Sequence, residues 1–135
     1  ESTFAMIKPD AVSAGYVDAI LAKISARGYS IDNMHTINLS KKQAGQFYAE
    51  HAERSFFGEL VDFITSGPVV ALKLSGRDAI AGWREMIGPT NHESALNTRP
   101  NSIRALYGAS TQSNAVHGSD STASAEREIA FFFEP

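Results

Sequence analysis

The stretch TFAMIKP, residues 3–9, sets an uninterrupted apolar run against a lysine and a proline. A run this short and uniformly apolar reads as a buried strand. Pro9 ends it, because proline brings no N–H to a ladder and biases the residue before it away from helix. The strand therefore delivers Lys8 at its end.

Outward from that strand, Val17, Ile20, Leu21 and Ile24 recur at helical spacing, and Gly28 follows where a helix C-terminal glycine belongs. Tyr29 to Leu39 reads as a second strand with Ile31, Ile37 and Leu39 on one parity, and Ser40 then opens Ser-Lys-Lys-Gln, a capping-box pattern, before a helix carrying Ala44, Phe47, Tyr48 and His51. Phe56, Phe57, Leu60, Val61 and Ile64 form another helical pattern, stopped by Gly67-Pro68, and Val69 to Leu74 is the third strand. Ser75-Gly-Arg-Asp78 has the form of a second capping box, and Ile80, Trp83 and Ile87 continue helically to Gly88-Pro89, with Arg84 on the last turns. Residues 89 to about 113 show no clear period and read as a long loop, of the kind that is usually functional or disordered. Beyond it, Ser121 can cap a short helix through Glu128, and Ile129 to Phe133 reads as the last strand. That order predicts an α+β protein: a ferredoxin-like βαββαβ sandwich whose four-stranded antiparallel sheet is covered by helices.

Composition bounds the function. The 135 residues suit a single domain, 1–135, large enough to bury a core without staples. With no cysteine, disulfides, thiolate nucleophiles and cysteine metal sites are excluded, and a cytoplasmic location is expected. A net charge of −3 lacks the basic footprint of a nucleic-acid binder, yet leaves room for a local cationic pocket. No apolar run approaches the ~18–20 residues of a membrane span.

The chemistry concentrates in NAVHGSDS, residues 114–121. Of the 4 histidines, His35 lies in a strand-like run, His51 beside acidic residues and His92 in a loop; His117 alone is surrounded this densely by hydrogen-bonding groups. Such residues are also ordinary turn and cap formers, so the stretch alone is equally consistent with a loop entering a helix. A hydrolase triad is disfavoured, because triad members converge from distant segments and no nucleophile elbow is present. The histidines are not paired at metal-ligand spacing. Neither a P-loop nor a GxGxxG follows a strand, so a phosphate would be met by side chains, with Lys8, Arg84 and Arg104 the available cations. A neutral imidazole near its reference pKa of ~6.5 can itself accept a phosphoryl group. Glu128, on the helix that follows, could fix the tautomer and leave the other ring nitrogen free.

Taken together, IKPDAV (7–12), RSFFGELVDFITSGPVV (54–70), WREMIGPTN (83–91), SIRALYG (102–108) and NAVHGSDSTASAEREI (114–129) resemble, in order and over essentially the whole chain, the nucleoside diphosphate kinase family. The resemblance implies Mg²⁺-dependent ping-pong transfer of a γ-phosphoryl group from a nucleoside triphosphate, typically ATP, to a nucleoside diphosphate through a phosphohistidine at His117. It further implies that Lys8, Tyr48, Arg84, Thr90, Arg104 and Asn114 surround the phosphates and ribose, that Glu128 orients the histidine with the Ser119 hydroxyl beside it, and that Phe56 stacks on the base. Asp120 would reach Mg²⁺ only through water. A homo-oligomer is also implied, with dimer, tetramer and hexamer all open.

The chain departs from the family pattern in places. The segment TNHESALNTRPNSIR, 90–104, is longer than the common form and lacks the usual proline after Asn91. Ser55 replaces a usual proline, and Thr111 stands where many relatives carry an apolar residue beside the base. A nucleotide-binding module of the same fold without catalysis is argued against by His117 and Glu128, since binding needs neither a nucleophile nor its orienting carboxylate. An RNA-binding domain of this topology is disfavoured by the acidic balance and by the absence of aromatic RNP-like strands.

Overall fold

The computed structural model describes residues 1–134. Four strands, β1 (Ser2–Ile7), β2 (Ser30–Ile37), β3 (Val69–Ser75) and β4 (Val116–Gly118), form one sheet in the order β2-β3-β1-β4, every neighbouring pair antiparallel. The central pair owes its largely apolar sequence, interrupted in β3 by the half-buried Lys73, to burial on both faces. Ala5 and Ile7 enter one core with Val70, Leu72 and Leu74, while Phe4 and Met6 enter the other with Val69 and Ala71.

Helices supply the walls. On the first face lie α1 (Pro9–Ser13), α2 (Val17–Ala26) and α5 (Ala79–Ile87), contributing Ala11, Ile20, Ile24, Trp83 and Ile87. On the second lie α3 (Lys41–Phe47) and α4 (Phe57–Ile64), contributing Ala44, Phe47, Val61 and Ile64. The Ser40 capping box forms as expected: Gln43 N–H donates to Ser40 Oγ at 3.1 Å and Ser40 N–H to Gln43 Oε1 at 2.9 Å.

Several expectations are corrected. Ile129 to Phe133 is not a strand but the second half of α8 (Thr122–Phe133), started by the Ser121 cap. A short apolar run does not distinguish strand from helix, and packing decides it: Phe132 stacks on Phe4 at 4.8 Å and meets Phe47 at 5.6 Å. The last strand is β4, so His117 is a strand residue, paired with Met6. The long loop of 89 to about 113 contains two helices, α6 (His92–Thr98) and α7 (Ile103–Tyr107), capped by Asn91 and Ser102. Each is too short to show a period.

Ser75 belongs to β3, opposite Ser2, and makes no capping box. Asp78 instead takes a left-handed φ of 50°, and the Glu1 carboxylate caps α5 by accepting from Ile80 N–H at 2.9 Å. The shared parity of Ile31 and Ile37 is also broken. A bulge between Ile31 and Asn33 sends Ile31 to the first core and Ile37 to the second.

Candidate active site

His117 is fixed before any ligand is considered. Its carbonyl accepts from Trp83 Nε1 at 3.1 Å, and its ring meets Phe47 edge to face at 5.4 Å. Gly118 makes this approach possible, since a Cβ there would lie 2.6 Å from the Trp83 ring. Glu128 Oε1 stands 2.8 Å from His117 Nε2 and accepts from Ser119 Oγ at 2.7 Å. A carboxylate only accepts, so the proton of a neutral ring sits on Nε2 and the Nδ1 lone pair is free. Glu128 and Ser119 are almost wholly buried, which holds this geometry against water.

The turn before His117 brings in two more groups. Ala115 has a φ of 76°, and Val116 N–H closes on the Asn114 carbonyl at 2.9 Å, giving a γ-turn at positive φ. From it the Asn114 side chain bridges two elements, accepting from Lys8 Nζ at 2.8 Å and donating to the Thr90 carbonyl at 3.2 Å. Arg104 on α7 reaches the same place, donating from Nη1 to the Gly88 carbonyl at 2.9 Å and from Nη2 to the Val116 carbonyl at 3.1 Å. Arg84 on α5 donates to the Gly118 carbonyl at 3.3 Å. The cations thus converge on the strand that bears His117.

Their charges interact. Burial, and then the Arg104 guanidinium, push the Lys8 ammonium down to about 8, while Asp10 pulls it the other way. Burial, and then Arg84, push Arg104 down to about 10. Mutually repelling cations held in a half-enclosed place favour an anionic ligand. Burial, and then the charge of Glu128, push the Tyr48 hydroxyl up to about 12, so it remains a donor.

A cleft of about 480 Å³ gathers these groups: Lys8, Tyr48, Phe56, Arg84, Thr90, Arg104, Asn114, His117, Asp120 and Glu128 all line it. Of the residues expected from the sequence, only Ser119 stands behind the wall, against Glu128. Phe56 is 40% exposed at the rim, which rules out a core role. Asp120 is exposed and accepts from Ser124 Oγ at 2.7 Å, a contact that holds its carboxyl below the usual range. Among the described residues no three His, Asp or Glu side chains cluster as metal ligands. The oxygen donors that line the cleft, the Asp120 and Glu50 carboxylates among them, are of the hard kind that a hydrated divalent cation accepts.

Sequence reading missed some lining and supporting groups. His51 and Arg54 line the cleft, and Arg127 Nη2 lies 3.4 Å from Glu128 Oε2. Asp10 accepts from Ala115 N–H at 3.1 Å. Arg127 adjoins Glu128 and Asp10 follows Lys8-Pro9, but adjacency carries no signal of contact.

The family model for nucleoside diphosphate kinase matches residues 1–135. The chain is 54% identical over 133 residues to the nucleoside diphosphate kinase of Deinococcus radiodurans, covering 98% of this chain and 94% of that protein. It is 50% identical to the probable nucleoside diphosphate kinase 5 of Arabidopsis thaliana, covering 96% and 90%. It superimposes on the nucleoside diphosphate kinase of Aquifex aeolicus with a TM-score of 0.97 at 47% identity, covering 98% and 94% of the chains.

Proposed function

The chain belongs to the nucleoside diphosphate kinase family, and we propose that it moves a γ-phosphoryl group from a nucleoside triphosphate, typically ATP, to a nucleoside diphosphate by way of a phosphohistidine at His117. The observation that carries the residue assignment is the 2.8 Å contact of His117 Nε2 with Glu128, which leaves Nδ1 as the nucleophile in a cationic cleft.

In the first half-reaction the Nδ1 lone pair forms a bond to the γ-phosphorus as the bond from that phosphorus to the β–γ bridging oxygen breaks. The nucleoside diphosphate leaves with the bonding pair. Phosphoryl transfer is mostly positioning and charge stabilisation, and Lys8, Arg84 and Arg104 oppose the charge on the moving group and on the leaving diphosphate. The ring turns cationic as it is phosphorylated, and Glu128, accepting from Nε2–H, stabilises that form. A second nucleoside diphosphate then reverses these steps and leaves as a triphosphate.

Tyr48, Thr90 and Asn114 place hydrogen-bonding groups along the cleft for phosphate and ribose. Phe56 offers a ring face to the base, and stacking tolerates every base. Mg²⁺, when bound with the nucleotide, would supply charge neutralisation, and Asp120 is the residue that would hold it, through water. Among the described residues no helix is long and apolar enough to cross a membrane. We further propose that residues 1–135 act as one domain, in a cytoplasmic homo-oligomer with no specific nucleic-acid partner.

The test is direct. Purified chain is mixed with Mg²⁺ and γ-labelled ATP, checked for acid-labile, base-stable label, and then given GDP. Label that appears on His117 and leaves as GTP establishes the reading; folded protein that binds ATP and never takes label refutes it in favour of a binding module.

A further inference from the structure

We propose that Asp10 is a positioning residue, whose carboxylate holds the γ-turn before His117 in its strained form and so sets where Asn114 and the His117 ring stand against bound phosphate. The proposal rests on the phosphotransfer reading above.

Ala115 sits at a φ of 76°, where the Cβ of an L residue is crowded. Such a conformation persists where the surroundings over-determine it. Two backbone grips do so here. The Ala115 N–H donates to Asp10 Oδ2 at 3.1 Å, and its carbonyl accepts from Lys8 N–H at 2.8 Å. Lys8 and Asp10 flank Pro9, so one short corner of chain, where β1 passes into the first turn of α1, holds the peptide groups on both sides of Ala115. Only one of the two grips is made by a side chain. Ala115 is fully buried, so without the carboxylate its N–H would be left unsatisfied.

The turn matters because of what leaves it. Asn114 bridges Lys8 and Thr90 from one side, Val116 offers its carbonyl to Arg104 on the other, and His117 follows at once. A shift at Ala115 moves all of these together. The other Asp10 oxygen, Oδ1, is buried without a partner, and burial raises the carboxyl above its ordinary value, with the Ala115 amide the leading contact opposing it. A half-satisfied buried carboxylate is a poor stabiliser. Its place is explained by the backbone that its second oxygen holds.

The experiment measures the rate of single-turnover labelling of His117 by Mg²⁺ and γ-labelled ATP, normalised to the protein that labels to completion. Asp10→Ala should label about 100-fold more slowly, the size of effect expected from displacing a reacting group by about 1 Å. Asp10→Asn keeps an oxygen acceptor for the Ala115 N–H and should lose no more than about ten-fold. Adding Ala115→Gly to Asp10→Ala should recover about ten-fold, because glycine takes positive φ without steric penalty. A merely structural residue would change the labelled fraction and not these rates. Wild-type labelling rates in Asp10→Ala, or a double variant no faster than the single, would overturn the proposal. Should Asp10→Ala not fold, the wild type still decides: the Ala115 amide proton resonance must follow the titration of Asp10, and a resonance blind to it overturns the proposal. Wild-type protein that never takes label refutes the phosphotransfer reading instead, and the amide titration then judges this contact alone.

Discussion

His117 Nε2 stands 2.8 Å from Glu128 Oε1, and that same oxygen accepts from Ser119 Oγ at 2.7 Å. One buried carboxylate oxygen therefore fixes the tautomer of the nucleophile while being held by a neighbour. Glu128→Ala should slow phosphoryl uptake by His117 about 100-fold, as loss of a positioned charged partner does. Glu128→Gln can still offer an oxygen to Nε2–H, but without full charge, and should lose about ten-fold. Rapid-quench labelling separates the two: equal rates for both variants would show that a neutral oxygen acceptor contributes nothing, and a wild-type rate in Glu128→Gln would show that charge is irrelevant to the contact.

Lys8 yields a prediction in which stability and activity move in opposite directions. Its ammonium is pushed down to about 8 from an ordinary 10.5, so the folded state disfavours the proton that the unfolded chain retains. Below pH 8 both states are protonated and the full penalty of burying the charge is present; between pH 8 and 10.5 the native state has lost the proton and stability rises with pH. Lys8→Met should therefore melt higher than wild type at pH 7, with the advantage shrinking across pH 8 to 10.5, while phosphoryl transfer is lost. Thermal melts over that range check the sign.

Phe56 presents its ring at the cleft rim, with the Arg54 guanidinium 5.7 Å from the ring centroid. Phe56→Ala should weaken nucleotide binding by about 1–3 kcal/mol, to a similar degree for purines and pyrimidines, because stacking does not read base identity. Steady-state KM values for ADP, GDP and CDP measure it. A loss confined to one base would assign Phe56 a different role.

These residues differ in how legible they were. β1 could be read because burial on both faces leaves an unbroken apolar run from Phe4 to Ile7, β3 because Lys73 alone interrupts its run from Val69 to Leu74, and α2 and α5 because each is long enough to show a period. The three residues of β4 offer no period, and the Phe131-Phe132-Phe133 run reads equally as strand or helix until its packing on Phe4 and Phe47 is seen. The bulge in β2 erases a parity that looked informative. The site was legible only as a set of residue types: Lys8 and Asn114 lie 106 positions apart and meet at 2.8 Å. No spacing rule joins them, and it was the ordered resemblance of whole blocks that brought them together.

Two departures from the family pattern turn out to be one contact. Where a proline is usual, His92 has an N–H, and where an apolar side chain is usual, Thr111 has a hydroxyl; the N–H donates to Thr111 Oγ1 at 3.3 Å. Proline could not make that bond and an apolar residue could not receive it. The contact ties the start of α6 to the segment between α7 and β4, which carries Thr111 beside the expected base position. At this length the bond is weak, near the lower end of the ~0.5–1.5 kcal/mol usual for a hydrogen bond. Thr111→Val should therefore destabilise the wild type by about 0.5 kcal/mol. His92 is the first residue of α6, where proline is well tolerated, and replacing it also removes a buried Nδ1 that has no partner. In a His92→Pro background Thr111→Val should then be neutral or stabilising. A double-mutant cycle of melting free energies tests this: a coupling that differs from zero in the stated direction establishes the pair, and strict additivity would mean that the two departures are independent.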